Sequence, residues 1–336
     1  MTIDLSQIAY RLVAVMPDAS QIRLDGVATN IAWEENDGEL AVRLNLALRD
    51  VEMDDGSRLS AKLALCTLIY LFATWNGVEN EIFRGTVWTW EHPQMNDEQI
   101  TVTCYDHLYY LQKSQDNRYF AKNTKTKTVI QKILGDWKVP IGIYSASDVK
   151  HAKILYKCKT IAAMLTETLK DADEKAKVKG NQKSFIRSRL GLVDIISRGS
   201  NTDIYGFYAG QNIETSSDKY SMTELVTRVI ITGKDDSNGK PKVEAKVDGL
   251  LEYGILQSIY SRGDTTLKEA KKAAQKIIDD DGKPKRTTTI GGIEFPGIRK
   301  GDIVYIETDK MAGFFFVKGA AHNATSGKMQ LEVEPT

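Results

Sequence analysis

Apolar and polar positions alternate with a period of two over much of this chain, the spacing of strands that bury one face. Leu40, Val42, Leu44, Leu46 and Leu48 fall on one side while Arg43 and Asn45 fall on the other, and Ile22–Trp33 alternates in the same way. The strongest local signal is Asn76-Gly77. It stands between an apolar run, Leu63–Trp75, and a second one, Glu81–Trp90. A tight type I′ turn needs positive φ at both central residues, which Asn and Gly accept at small cost, so the chain is expected to reverse there. Gln99–Tyr105, with Ile100, Val102 and Cys104 alternating, completes a three-stranded meander. Ala61, Leu63, Ala64, Leu65 and Leu68 would also suit the start of a buried helix; the turn and the Thr67–Thr74 strand formers favour a strand. Leu5, Ile8, Leu12 and Val15 make a stripe that fits a strand or a short helix equally.

A second meander is expected near the C-terminus. Asp302–Thr308 and Gly313–His322 read as strands, Thr325-Ser326-Gly327 as a turn, and Met329–Glu334 as a third strand. Phe83-Arg84-Gly85-Thr86-Val87 holds the place in the first meander that Phe316-Val317-Lys318-Gly319-Ala320 holds in the second, which suggests two similar β-domains. Between them the period changes to 3.6. Leu108–Gln112, Thr126–Leu134 ending at Gly135, and Thr160–Lys177 with Thr160 as N-cap are expected helices. Ser184–Ile196 is expected to form a hairpin turning at Gly191, and Ser197–Ser217, rich in Gly, Ser and Asn, a loop. Strands around Val226–Ile231, Val243–Val247 and Gly254–Tyr260 follow, then a helix opened by the capping box Thr266-x-x-Glu269 with Leu267, Ala270, Ala274 and Ile277 inward, and a strand over Arg286–Phe295.

The expected fold class is therefore mainly β with an α/β insert (α+β): two β-barrel domains flanking a small α/β domain. The boundaries are read as residues 1–113, 114–222 and 223–336.

The chain has 336 residues and no net charge, but the charge is uneven. Residues 1–112 hold 7 basic and 17 acidic side chains (−10), residues 113–189 hold 18 and 7 (+11), and the rest is at −1. The lysines of the middle part are not interleaved with a stacking platform, so a complementary charged protein surface is favoured over nucleic acid. The longest apolar run is shorter than the about 20 residues a bilayer requires. The first residues, with Asp4 and Gln7, do not resemble a signal peptide, so synthesis in the cytoplasm is expected.

Candidate chemistry is sparse. Cys66, Cys104 and Cys158 are scattered; no disulfide framework or zinc pair is expected, and Cys66 and Cys104 read as small core residues. His92, His107, His151 and His322 show no ligand spacing. Asp235–Gly239 resembles the start of a calcium loop but lacks the closing Glu, and a hairpin is the expected reading. The adjacent Asp106-His107 reads as an ordinary surface pair. No Gly-rich phosphate loop, Gly-x-Ser-x-Gly or His-Glu-x-x-His is present, so no catalytic, cofactor or metal residues are assigned. Trp88 and Trp90, read on one strand face, suit a subunit interface, a core or a sugar platform. Phe314, Phe315 and Phe316 place aromatics on both faces of a strand, so the face away from the core needs a cover. Trp88, Trp90, Phe314 and Phe315 are the candidate interface residues.

Phe83-Arg84-Gly85-Thr86-Val87 followed by Tyr105-Asp106-His107-Leu108-Tyr109-Tyr110-Leu111 resembles the Phe-x-Gly-x-Val and Tyr-Asp-x-Leu-x-Tyr-Leu segments of baseplate hub proteins of contractile phage tails, the XkdQ type of prophages and phage-like bacteriocins. The resemblance continues through the insert, the helix over Thr266–Ile278 and the Gly301–Val333 meander. It implies two β-barrels per chain and a homotrimer whose six barrels form a pseudo-sixfold ring. Such a ring would adapt the sixfold tail tube to the threefold spike and continue the central channel. The implied partners are the tail tube or tube-initiator protein, the spike protein and other baseplate proteins, with neither sequence-specific nucleic acid nor membrane insertion. The implied place is the tail baseplate of a virion or bacteriocin particle, assembled in the host cytoplasm. The resemblance brings no catalytic residues and no cofactor. The alternatives are a carbohydrate-binding tail protein using Trp88 and Trp90, or a cell-wall hydrolase.

Overall fold

The computed structural model describes residues 7–93, 99–179, 182–235 and 239–336. The chain forms two units, Met1–Ser216 with Thr289–Thr336, and Ser217–Thr288.

The first unit begins with the strands that alternation predicts. The ambiguous N-terminal stripe is a strand, β1 (Ala9–Val15), paired with β2 (Gln21–Arg23). β3 (Ala28–Glu35) and β4 (Arg43–Arg49) follow, with Leu44, Leu46 and Leu48 all inward. The run after Arg58 divides: α1 (Leu59–Lys62) is a single helical turn, and β5 (Leu68–Trp75) starts only after Cys66, whose φ of 67° breaks the extended chain. Cys66 is accordingly exposed, outside any strand, and only Cys104 is the core thiol expected. Asn76 and Gly77 have φ of 52° and 74° and reverse the chain into β6 (Val78–Glu91), with Trp75 opposite Val78. β7 (Gln99–Tyr105) closes the meander.

The insert carries α2 (Leu108–Lys113), β8 (Gln115–Phe120), α3 (Thr126–Asp136), β9 (Ile141–Tyr144), β10 (Ile154–Thr160), α4 (Ile161–Ala176), β11 (Ser184–Arg189) and β12 (Leu192–Ser197). Thr160 caps α4 by accepting from the Ala163 amide at 3.2 Å. Leu108, Leu111, Ile130, Ile133, Met164, Leu165 and Ile195 build its separate core.

Ser197–Ser217 is not the loop that its composition suggests. β13 (Tyr205–Tyr208) lies parallel to β19 (Ile303–Glu307), and β14 (Ile213–Ser221) begins a long strand with almost no buried side chain. Asn212 joins them locally, accepting from the Tyr208 amide and donating to the Gly206 carbonyl, both at 2.8 Å.

β18 (Lys285–Ile293), β20 (Ala312–Asn323) and β21 (Lys328–Pro335) supply the second meander with β19. The strands do not close into barrels. They form one 13-stranded sheet in the order β14-β18-β21-β20-β3-β4-β7-β6-β5-β1-β2, with β19 also beside β20 and β13 beside β19. β20 is the hinge of this arrangement: its first half pairs with β19, its last residues with β3, and β21 runs along its other edge. The fold is thus mainly β with an α/β insert, and its β-rich parts share a sheet where two barrels were expected.

The second unit holds an antiparallel pair, β15 (Arg228–Asp235) and β16 (Pro241–Asp248), with β17 (Gln257–Ser261) parallel to β15. A 3₁₀ turn, Leu251–Tyr253, lies between the last two strands. α5 (Leu267–Asp281) covers one face through Ala270, Ala274 and Ile278, which pack with Val229 and Ile231. Its capping box is complete: Thr266 accepts from the Glu269 amide at 3.3 Å and Glu269 accepts from the Thr266 amide at 2.9 Å. The centre of the Asp235–Gly239 turn lies outside the described residues.

Candidate functional site

The side chains that sequence reading singled out are separated by backbone irregularity. β6 and β7 slip register between Val87 and Thr89, so Trp88 is the extra residue of a bulge. Trp90 packs on the first β core, whereas Trp88 meets Tyr109 and Tyr110 at ring separations of 4.7 and 4.9 Å. The two indoles therefore lie on opposite faces and make no shared platform. Tyr105 stacks on Tyr109 at 3.7 Å beside Trp88. On β20, Phe315 enters the core. Phe316, on the other face, is covered by Arg198 at 4.8 Å and by Gly199. A Cβ at Gly199, whose φ is +66°, would stand 2.7 Å from the Phe316 ring, so only glycine fits this cover. Phe314 remains 48% exposed beside Tyr305.

A cluster that sequence reading missed lies where the end of β3 and the loop after it, the segment before β19 and the insert meet. Arg299 donates from Nε and Nη2 to Glu35 at 2.9 and 3.0 Å and from Nη1 to the Ser188 carbonyl at 2.7 Å. Its own amide donates to Asp302 at 2.9 Å, and Asp302 also accepts from Arg187 at 2.9 Å. Lys300 donates to the Asn36 carbonyl at 2.8 Å and to that of Glu39. Burial alone would raise the Glu35 carboxyl, but the Arg299 charge and hydrogen bonds overcome this and hold it below its ordinary value. Burial pushes Lys300 down and Asp302 up. Such a network fixes one arrangement of its elements, because each charge is tolerable only while its partners are in place. The available signal was the run Arg299-Lys300-Gly301-Asp302 set directly after the apolar Phe295 and Ile298.

Asp106, expected at the surface, is buried: the Leu108 amide donates to one oxygen at 3.0 Å and the other has no hydrogen-bond partner. Burial pushes its carboxyl up to about 7. A second buried pair joins β20 to the loop after β18. His322 Nδ1 and Glu294 are 2.7 Å apart, the His322 ring stacks on Trp33 at 4.7 Å, and Tyr10 donates to Glu294 at 3.1 Å.

Thr126, His151 and Asp171 form a hydroxyl–imidazole–carboxylate line, with 2.9 Å from Thr126 Oγ1 to His151 Nε2 and 2.5 Å from Nδ1 to Asp171. This is the order of an acyl-transfer triad. Here Thr126 is wholly buried and its hydroxyl also exchanges hydrogen bonds with the Val149 backbone, so the line pins a loop and reaches no substrate. Among the described residues no group of His, Cys, Asp and Glu gathers for a metal ion, and no helix is long and apolar enough to cross a membrane.

A family model described as YQBQ-like matches residues 70–334. The chain belongs to the YQBQ-like family. No curated protein matches the sequence. Among solved structures, this YQBQ-like chain is similar to a tail protein of Neisseria meningitidis (TM-score 0.63, 12% identity, 97% of each chain covered). It is equally similar to the 43 kDa tail protein of prophage MuSo2 from Shewanella oneidensis (TM-score 0.63, 13% identity, 97% of this chain and 98% of the other). A component of the Escherichia coli type VI secretion system, described as similar to the T4 tail proteins gp27 and gp5, matches at TM-score 0.51 and 7% identity, over 92% of this chain and 74% of the other. At these identities the YQBQ-like chain shares their fold, which is the tail-protein fold that the Phe83–Leu111 segments resemble.

Proposed function

We propose that the chain is a structural hub protein of a contractile-tail baseplate, working by assembly geometry and not by chemistry. The observation that carries this reading is the agreement in fold with phage tail proteins over nearly the whole of both chains. The internal construction supports it, since a continuous sheet pinned by buried ion pairs suits a part that must keep its shape under load. In this reading three copies make a ring of pseudo-sixfold symmetry that adapts the sixfold tube to the threefold spike and continues the channel. Its partners are tube or tube-initiator, spike and other baseplate proteins. Its place is the tail of a virion or bacteriocin particle. The domain boundaries near residues 113 and 222 and an interface role for Trp88, Trp90 and Phe314 belong to the same proposal, whereas Phe315 is taken up by the core. Light scattering on the purified chain, alone and with its neighbouring spike protein, tests it: a trimeric mass in either condition is expected, and a monomer in both overturns it.

A further inference from the structure

A cleft of about 530 Å³ opens in the first unit between β5–β6 and the segment that joins α3 to β9. This is within the size range of ligand sites. Its walls are aromatic, from Tyr70, Tyr110 and Trp137, and its polar groups are Arg84, His107 and Lys138. Of the thirteen residues that line it, two are cationic and none is acidic.

The polar groups are arranged with capacity to spare. Arg84 uses Nε and Nη2 on Glu81, at 3.1 and 2.7 Å, and lies 5.0 Å from the Tyr70 ring. Its Nη1 is left on the side of Gly191, where a Cβ would approach it to 3.0 Å. His107 Nε2 is buried without a hydrogen-bond partner, which in a folded protein calls for an explanation. Burial, and secondarily the Arg84 charge, push the His107 imidazole down to about 4, so it stays neutral and offers a donor without adding charge. Lys138 stands exposed at the mouth with φ of 55°.

We propose that this cleft binds a peptide segment of a partner protein that carries a carboxylate next to an aromatic side chain. The carboxylate would sit between Arg84 Nη1 and Lys138, with His107 Nε2 behind them, because Glu81 occupies the Nε–Nη2 edge of the guanidinium and leaves Nη1 to a second acceptor. The aromatic group would lie against Tyr70, Tyr110 and Trp137, where ring contacts add to the burial of apolar area. A neutral sugar would use the rings but leave the Lys138 charge unanswered. The partner is defined by this chemistry alone and does not depend on the tail reading.

The test uses the full chain and a fluorescein-labelled Gly-Glu-Phe-Glu-Phe-Gly peptide, read by fluorescence anisotropy, with Gln-for-Glu and Ala-for-Phe peptides and unlabelled maltotriose as competitors. Saturable binding of the first peptide is expected, weakened by salt and at least tenfold by either peptide change. Two variants probe the site without burdening the fold. Lys138→Asn keeps a residue that accepts the left-handed conformation and should weaken binding about tenfold, as loss of one charge-assisted contact does. Gly191→Asn, also at a left-handed position (φ +75°), crowds Arg84 Nη1 and should abolish binding. Matching circular dichroism melts show that both variants are folded. Absent saturation, equal binding of the Gln peptide, competition by maltotriose, or wild-type affinity in both variants would each overturn the proposal.

Discussion

The two units of the chain place their charges differently. In the first, Glu35, Lys300 and Asp302 are buried around a half-buried Arg299, which is the hydrogen-bond partner of Glu35 and also donates to Ser188 and Asp302. In the second, Arg228–Asp248 joins β15 to β16 and Arg262–Glu244 links the end of β17 to β16 across β15, both with partly exposed side chains, and the core is built on uncharged Val229, Ile231, Ala270, Ala274 and Ile278. Exposed pairs contribute little, whereas a buried charge that loses its partner is strongly destabilising. The first unit should therefore be brittle to the loss of single charges, and the second brittle only to the loss of methyl groups.

Arg299→Ala is the severest way to break this comparison. It leaves Glu35 buried without its partner and should cost about 3–5 kcal/mol in urea unfolding; a loss below about 1 kcal/mol would show that water reaches the cluster. Next is Ile231→Ala, which empties the middle of the smaller core and should cost about 2–5 kcal/mol. Hydrogen exchange should place that loss in residues 217–288, and faster exchange spread evenly over both units would contradict the division.

Asp106 sharpens the comparison through pH. Its folded-state carboxyl titrates at about 7, above the ordinary carboxylate value, so the folded chain holds a proton that the unfolded chain releases from about pH 4 upward. Stability from this group is present at low pH and falls as pH rises through 7. Asp106→Asn should remove that fall, a gain of a few kcal/mol at pH 8 relative to pH 4; parallel pH–stability curves for the two proteins would refute it. The smallest effect is at the helix cap of the second unit, where Thr266→Ala should cost about 1 kcal/mol in thermal unfolding. No change there would mean that Glu269 alone holds the first turn.

Strands whose partners are close in sequence could be read from the chain, because alternation and turn chemistry act locally. Asn76-Gly77, Thr160 and Thr266-x-x-Glu269 each did what their residues dictate. Features set by distant partners were hidden. The bulge at Trp88 arises from pairing with β7, and nothing in Val87-Trp88-Thr89 announces it. β14 is polar because its pairing uses main chain and not buried side chains, and β13 is a short aromatic stretch, with Phe207 in the core, set among Gly, Ser and Asn, so composition suggested a loop. The barrels failed for a related reason: the pattern specifies which face of each strand is buried but not which edge it seeks, and β20 seeks β3. At the candidate sites, one core face and one covered face of β20 followed from strand alternation, but Phe315, read as an interface residue, belongs to the core face. The Glu35–Arg299 junction did not, since its residues are 264 apart.

The change of neighbour along β20 also governs when the fold can be completed. Asn30 on β3 and Asn323 on β20 are hydrogen-bonded across 293 residues. A chain growing from its N-terminus thus carries β3 with one bare edge until nearly everything downstream has been made. Closing so long a loop is slow, and an unpaired strand edge is a template for other chains. The last sheet contact is therefore a checkpoint on synthesis, and interrupted or heat-stressed translation should yield aggregates nucleated at Ala28–Glu35 instead of smaller folded fragments.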